Sequence, residues 1–215
     1  MFRELGLGDA RLLFIATNWT ILLSLFAFAT GTAVGLLVAT LRLSRHPALR
    51  LVAAGYINII QGTPFLVQLF VLYFGLTFVN IRLDAWVCAA IGLTAYSSAY
   101  LAEIWRGCIQ GIPPAQWEAS RMIGLSRLQQ QIYVILPQAL LISLPATVGF
   151  FVQIIKATAL LSVLGFAEIL RTAQMINNAT FQPFLIYGIC AALYFILCWP
   201  LSRLSAYLEK KYHVH

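Results

Sequence analysis

Residues 12–41 read LLFIATNWTILLSLFAFATGTAVGLLVATL, 30 consecutive residues without an Asp, Glu, Lys or Arg. A helix needs roughly 20 apolar residues to cross about 30 Å of hydrocarbon. The stretch is therefore a spanning helix, and the rest of the chain repeats the pattern. Uncharged runs of 31, 18, 28 and 31 residues lie between Arg50 and Arg82, Asp84 and Glu103, Arg127 and Lys156, and Arg171 and Arg203. The reading is an all-α integral membrane protein with five transmembrane helices, near 14–41, 52–78, 85–106, 129–155 and 182–205. The third needs Glu103 close to a membrane face. A further apolar piece, Ala157 to Ala167, is too short to cross and is expected to be a re-entrant or interfacial helix.

Composition agrees. Of the 215 residues 61% are hydrophobic and only 10% charged, against about 25% charged in soluble domains. The net charge is +7, yet the 14 Lys and Arg sit at the edges of apolar runs rather than in one patch. Nucleic acid is thus not the expected partner; membrane lipid is. Five spans put nine basic residues on one side (Arg42, Arg45, Arg50, Arg106, Arg121, Arg127, Arg203, Lys210 and Lys211) and five on the other (Arg3, Arg11, Arg82, Lys156 and Arg171). The positive-inside rule places the nine in the cytoplasm, with the N-terminus outside and the C-terminus inside. Residues 14–205 form one membrane domain, 1–13 an extracytoplasmic segment and 206–215 a cytoplasmic tail. Glu4 and Asp9 replace a basic n-region, so no cleavable signal peptide is expected. Cys88, Cys108, Cys190 and Cys198 form no CxxC pair and read as small apolar fillers. His46, His213 and His215 are scattered, so neither a metal site nor catalytic residues are expected. The chain has no phosphate-binding GxxxxGK[ST] loop of its own.

Between spans three and four, residues 107–129 read GCIQGIPPAQWEASRMIGLSRLQ. Pro113 and Pro114 suit a helix start. Gly124 suits the left-handed position just past a helix end. Ser126-x-x-Gln129 is a capping box for the next helix. The result is a helix of about ten residues, a glycine break, and a new helix. Ala115, Ala119, Met122 and Ile123 share one face, and Glu118 and Arg121 are spaced to pair on the other. A short amphipathic helix held by two spans can dock on a partner, or lie on lipid.

Polar residues within the spans are functional candidates or helix glue. Glu103 is expected to pair with Arg106. Lys156 is expected to pair with Glu168, with snorkelling or a substrate carboxylate as alternatives. Pro64, Pro137 and Pro145 break helix hydrogen bonds, and broken helices line transport sites. Gly31 and Gly35 allow close helix contact. Candidates for a substrate path are Gln61, Thr63, Tyr96, Gln153, Lys156 and Thr158.

Glu118-Ala119-Ser120-x-x-x-Gly124, continued by Ile135-Leu136-Pro137, resembles the EAA…G…I.LP signature of ABC importer permeases. Gln61 to Phe70 is similar to the RGTPLLVQLF stretch of the polar amino acid subgroup. Ala99 to Gly107 resembles AYxAEIxRG, Gln116-Trp117-Glu118-Ala119 resembles GQWEAA, Ile135 to Ala139 resembles ILPQA, and Lys156 to Leu160 resembles KDTSL. The departures are Gln61 for Arg, Cys108 for Gly, Ser120 for Ala, and two alanines in the last motif. The resemblance implies a type I ABC importer permease for polar amino acids (histidine, glutamate, glutamine, arginine or cystine) in a bacterial inner membrane. Its implied partners are two copies of an ATP-binding cassette subunit, which use ATP and Mg, a second permease subunit, identical or homologous, and a periplasmic or extracellular amino-acid-binding protein. Pro114, Trp117, Glu118, Ala119, Ser120, Arg121 and Gly124 would form the loop that couples to the ATPase. An ion-coupled secondary transporter or channel is the alternative, but it should carry coupling carboxylates or pore rings within its spans.

Overall fold

A computed structural model of the chain describes residues 5–78 and 80–212, and every described element is helical. Four helices are long and apolar enough to cross a membrane: α1 (Leu7–Arg42), α4 (Ala85–Gln110), α6 (Arg127–Leu164) and α8 (Pro183–Tyr212). The second uncharged run departs from the sequence reading. It folds as α2 (Pro47–Gly62) and α3 (Phe65–Phe78), bent by 104° at their junction. Counted as one broken span, the pair gives the fifth. The cause is local. Pro64 has no N–H to continue α2, and proline pushes the residue before it out of the helical region. Thr63 accordingly sits at φ −123°, ψ 144°.

The long helices pack through small residues. A Cβ on Gly31 would lie 2.4 Å from Cβ of Ser97, and one on Gly35 3.1 Å from the carbonyl of Ser98. Only glycine lets α1 approach α4 this closely, as the spacing of the two glycines predicts. Thr30 and Thr94 hydroxyls bond at 2.7 Å across the same seam. Leu23, Ala27, Leu69, Cys88, Ala89, Leu93, Phe150, Ile154 and Leu161 fill the central core. Outward faces keep large apolar residues such as Leu37, Val71 and Phe195, each about 60% exposed, as a lipid-facing or subunit-facing surface requires.

Two further corrections concern the chain after Lys156. Residues 157–167 are not a separate helix. α6 runs through Lys156 and tightens to 3₁₀ geometry over Ala159–Leu164. Gly165, at φ 83°, then ends it. The short accessory helix lies one step later, as α7 (Ile169–Thr180). Its buried residues Ile169, Thr172, Ala173, Ile176 and Thr180 recur at helical spacing. Glu168 is its N-cap, accepting from the N–H groups of Leu170 (2.9 Å) and Arg171 (2.7 Å). Tyr194 Oη donates to the same carboxylate at 2.5 Å. Glu168 is fully buried while Lys156 is exposed. Among the described residues no ion pair joins them, because the carboxylate is already occupied by donors that burial makes necessary.

The loops fall at two ends. Val38 and Ala39 pack with Ala102. The last turn of α8 lines a cavity of about 770 Å³ together with Gly111–Pro113 and Gln116. The end of α1, the loop after α4 and the C-terminal turn therefore share one end. Leu13 packs with Ile169 and Ile186 at the other.

Candidate functional site

Two regions carry the sequence candidates. The first is the loop between α4 and α6, which holds α5 (Pro114–Met122). Pro113 precedes it and Pro114 occupies its first turn, where a missing N–H costs nothing. Gly124 adopts φ 80°. Its N–H bonds to Arg121 O at 2.9 Å and that of Leu125 to Ser120 O at 3.2 Å, the two bonds of a Schellman ending. Ser126 and Gln129 then bond reciprocally at 2.9 and 3.4 Å. Gln130, buried, donates its side-chain amide to Leu125 O at 2.8 Å. Helix, break and restart are thus all secured within 17 residues of sequence, 114–130.

α5 stands on the bundle by its own residues. Trp117 packs against Ile112, Ile135 and Ala139. Ser120 is buried, with its hydroxyl bonded to Trp117 O at 2.8 Å. Ala115, Glu118, Ala119 and Arg121 are exposed, as are Met122 (88%) and Ile123 (75%). The expected Glu118–Arg121 pair is not formed among the described residues, so both charges stay available on the surface. Two large apolar side chains this exposed beside free charges make a surface that a partner protein can cover.

The second region is the junction of α2 and α3. Thr63 Oγ1 donates to Ile59 O at 2.8 Å. Gln68, not among the selected candidates, donates its side-chain amide to Ile60 O at 2.7 Å and lies 3.0 Å from Thr63 O and 2.8 Å from Thr63 Oγ1. Among the described residues the carbonyls of Gln61 and Gly62 and the N–H groups of Phe65 and Leu66 have no partner. Unpaired backbone in lipid costs several kcal/mol per group, so such a junction must be covered by protein or line a wet cavity. Thr63 is exposed and Gln61 half-buried.

Phe65, directly after the break, joins this junction to α4 and α6. Its ring lies 4.8 Å from Tyr96, which lies 4.8 Å from Tyr100 and 5.8 Å from Phe150. Tyr96 therefore belongs to an aromatic wall. Gln153 and Lys156, one and two turns beyond Phe150, are exposed. Thr158 is turned the other way: it is fully buried and bonds to Ile155 O at 2.7 Å. Glu103 pairs with Arg106 through both carboxylate oxygens, as the spacing predicts. Ser205 was missed: it reaches from α8 to Pro145 O at 2.8 Å. No local pattern could announce that contact across 60 residues.

These features together define a helical membrane domain with an exposed helix in the loop between α4 and α6 and a broken span. Residues 31–214 match the family described as the binding-protein-dependent transport system inner membrane component. The chain belongs to that family, and it is a membrane-spanning permease component with the type I importer fold. It is 36% identical over 195 residues to the probable amino-acid ABC transporter permease protein YckA of Bacillus subtilis, covering 91% of this chain and 86% of that one. It is also 36% identical to the L-cystine transport system permease protein TcyB of the same organism, covering 90% and 83%. Among solved structures, an amino acid ABC transporter crystallised with histidines matches with a TM-score of 0.91 at 35% identity, over 97% of this chain and all of that one.

Proposed function

We propose that this chain is the transmembrane subunit of an ATP-driven importer of polar amino acids. The observation that carries the reading is the break in span two. It leaves carbonyl groups at the end of α2 and N–H groups at the start of α3 open within an otherwise apolar segment. A helix C-terminus carries partial negative charge and an N-terminus partial positive charge. Such a pair suits the ammonium and carboxylate of a zwitterion, which needs polar partners while it crosses hydrocarbon. The amino-acid and cystine permeases among its relatives support the same substrate class. Gln61, Thr63, Tyr96, Gln153 and Lys156 line the path in this reading, and Thr158 braces its wall from behind.

ATP and Mg act on partner subunits. Two ATP-binding cassette subunits dock on the α5 loops of this permease and of a second one, identical or homologous. Trp117 fixes α5 to the bundle, Ser120 lies buried beneath it, Glu118, Ala119 and Arg121 face the partner, and Pro114 and Gly124 set the ends. The end of the bundle with nine basic residues lies in the cytoplasm with the C-terminus. A periplasmic or extracellular binding protein delivers the solute to the opposite end. Closure of the ATPase pair moves α5, and the spans alternate between two states of different affinity.

The test is ATP hydrolysis in proteoliposomes by the permease co-purified with its ATP-binding subunit. Stimulation by amino-acid-loaded binding protein is the expected result. Uptake that needs an ion gradient and no ATP-binding subunit would instead make the chain a secondary transporter.

A further inference from the structure

Residue 64 determines what the break in span two requires. In a continuous helix the N–H of residue 64 would bond to Ile60 O and that of residue 63 to Ile59 O. Pro64 has no N–H, and α2 ends at Gly62. Both stranded carbonyls nevertheless have side-chain substitutes. Thr63 supplies its own hydroxyl to Ile59 O. Gln68, one turn into α3, reaches back eight residues to Ile60 O.

The chemistry at this point is selective. Three oxygens, Ile60 O, Thr63 O and Thr63 Oγ1, surround one nitrogen at 2.7–3.0 Å. The Thr63 proton is already committed to Ile59 O, so that hydroxyl can only accept here. The group among these oxygens has to be a donor, and the carboxamide nitrogen brings two protons without a charge. Proline alone would free Ile60 O and leave the angle open, because it restricts only its own φ and the residue before it. A side chain of α3 fastened to the last turn of α2 fixes the angle as well.

We propose that Gln68 is a positioning residue for transport. Its carboxamide holds the bend in span two and so keeps Gln61, Thr63 and the open backbone ends aimed at the solute. The proposal rests on the reading that this break lines the path.

The experiment compares the wild-type complex with Gln68→Glu and Gln68→Ala in proteoliposomes supplied with the amino-acid-binding protein. The probe is a radiolabelled mixture of the proteinogenic L-amino acids and cystine. Co-purification of the ATP-binding subunit and basal ATP hydrolysis are measured alongside. Glutamate has the size of glutamine but, when ionised, offers only acceptors to three oxygens. Both variants are expected to assemble and to hydrolyse ATP at the basal rate. Uptake should fall about tenfold or more, as expected for a displaced binding group, and the half-saturating solute concentration should rise. Relative to wild type at each pH, uptake by Gln68→Glu should recover as the pH is lowered, because the protonated carboxyl regains an O–H donor. Gln68→Ala should not recover. Wild-type uptake by Gln68→Glu at every pH overturns the proposal, and so does equal pH dependence of the two variants. Failure of both to assemble makes Gln68 a folding residue and overturns it too. Absence of uptake by the wild-type complex refutes the importer reading itself, and the role of Gln68 falls with it.

Discussion

The loop around α5 and the junction of α2 and α3 are both proline-marked breaks between helices, but they lie in different surroundings and are held by different bonds. At the loop, short-range bonds fix the end of one helix and the start of the next through the Gly124 ending, the Ser126–Gln129 box and the Gln130 amide, and the groups left open among the described residues, Met122 O, Ile123 O, Arg127 N and Leu128 N, belong to exposed residues. At the junction, Gln61 O, Gly62 O, Phe65 N and Leu66 N stay open among the described residues. The loop is braced by short-range bonds and presents exposed side chains, which suits a rigid piece pressed by a partner. The junction closes only what sets its angle and presents backbone, which suits a site for a polar solute. Rigidity at one and residual polarity at the other are the physical requirements of transmitting force and of passing a zwitterion.

The largest effect that can break this comparison is expected from Gly124→Val. A Cβ at this glycine meets nothing within 4 Å, so any penalty comes from φ 80° alone. A β-branched residue is a strong outlier there, whereas asparagine tolerates the left-handed region. Gly124→Val should lose the ATP-binding subunit on purification and most uptake, while Gly124→Asn should keep both. Equal behaviour of the two would mean that the loop's geometry does not govern docking.

Pro64→Ala should act next. It restores an N–H that can bond Ile60 O and compete with Gln68. We expect assembly to persist while uptake falls about tenfold through misplacement of the path. Spin labels on α2 and α3 should report a wider angle. An unchanged interlabel distance would show that Pro64 does not control the bend.

The smallest effect is expected from Ser120→Ala. The Ser120 hydroxyl bonds only within its own helix, to Trp117 O, and its removal should cost about 0.5–1.5 kcal/mol at most. Uptake and co-purification should match wild type. A clear loss would mean that this hydroxyl touches the partner and that the docking surface extends beneath α5.

The loop was legible in the sequence because its chemistry is short-ranged. Pro114, Gly124, Ser126 and Gln129 act on backbone within a few residues, and each behaves as its type predicts. The break at Pro64 was legible as a break, though not as a turn of 104°. That angle depends on Gln68 reaching a carbonyl eight residues away. Glu168 was misread for a related reason. Charge counting sees a flanking carboxylate beside Lys156, while the fold uses it as the cap of α7 and the acceptor for Tyr194, 26 residues on. The Glu118–Arg121 spacing permits an ion pair that the exposed surface does not make, since water competes well for both charges.

The amino-acid sequence by itself determined the membrane class, the number of apolar runs, the uneven sharing of basic residues and the design of the α5 loop. Hydropathy and local capping depend only on neighbouring residues and survive without coordinates. Tertiary structure alone decided the angle in span two, the continuation of α6 through Lys156, the aromatic wall from Phe65 to Phe150, and the choice of Tyr194 over Lys156 as the partner of Glu168. Each of these is a contact made only after distant helices pack, and burial, which selects donors for buried acceptors, exists only in the folded chain.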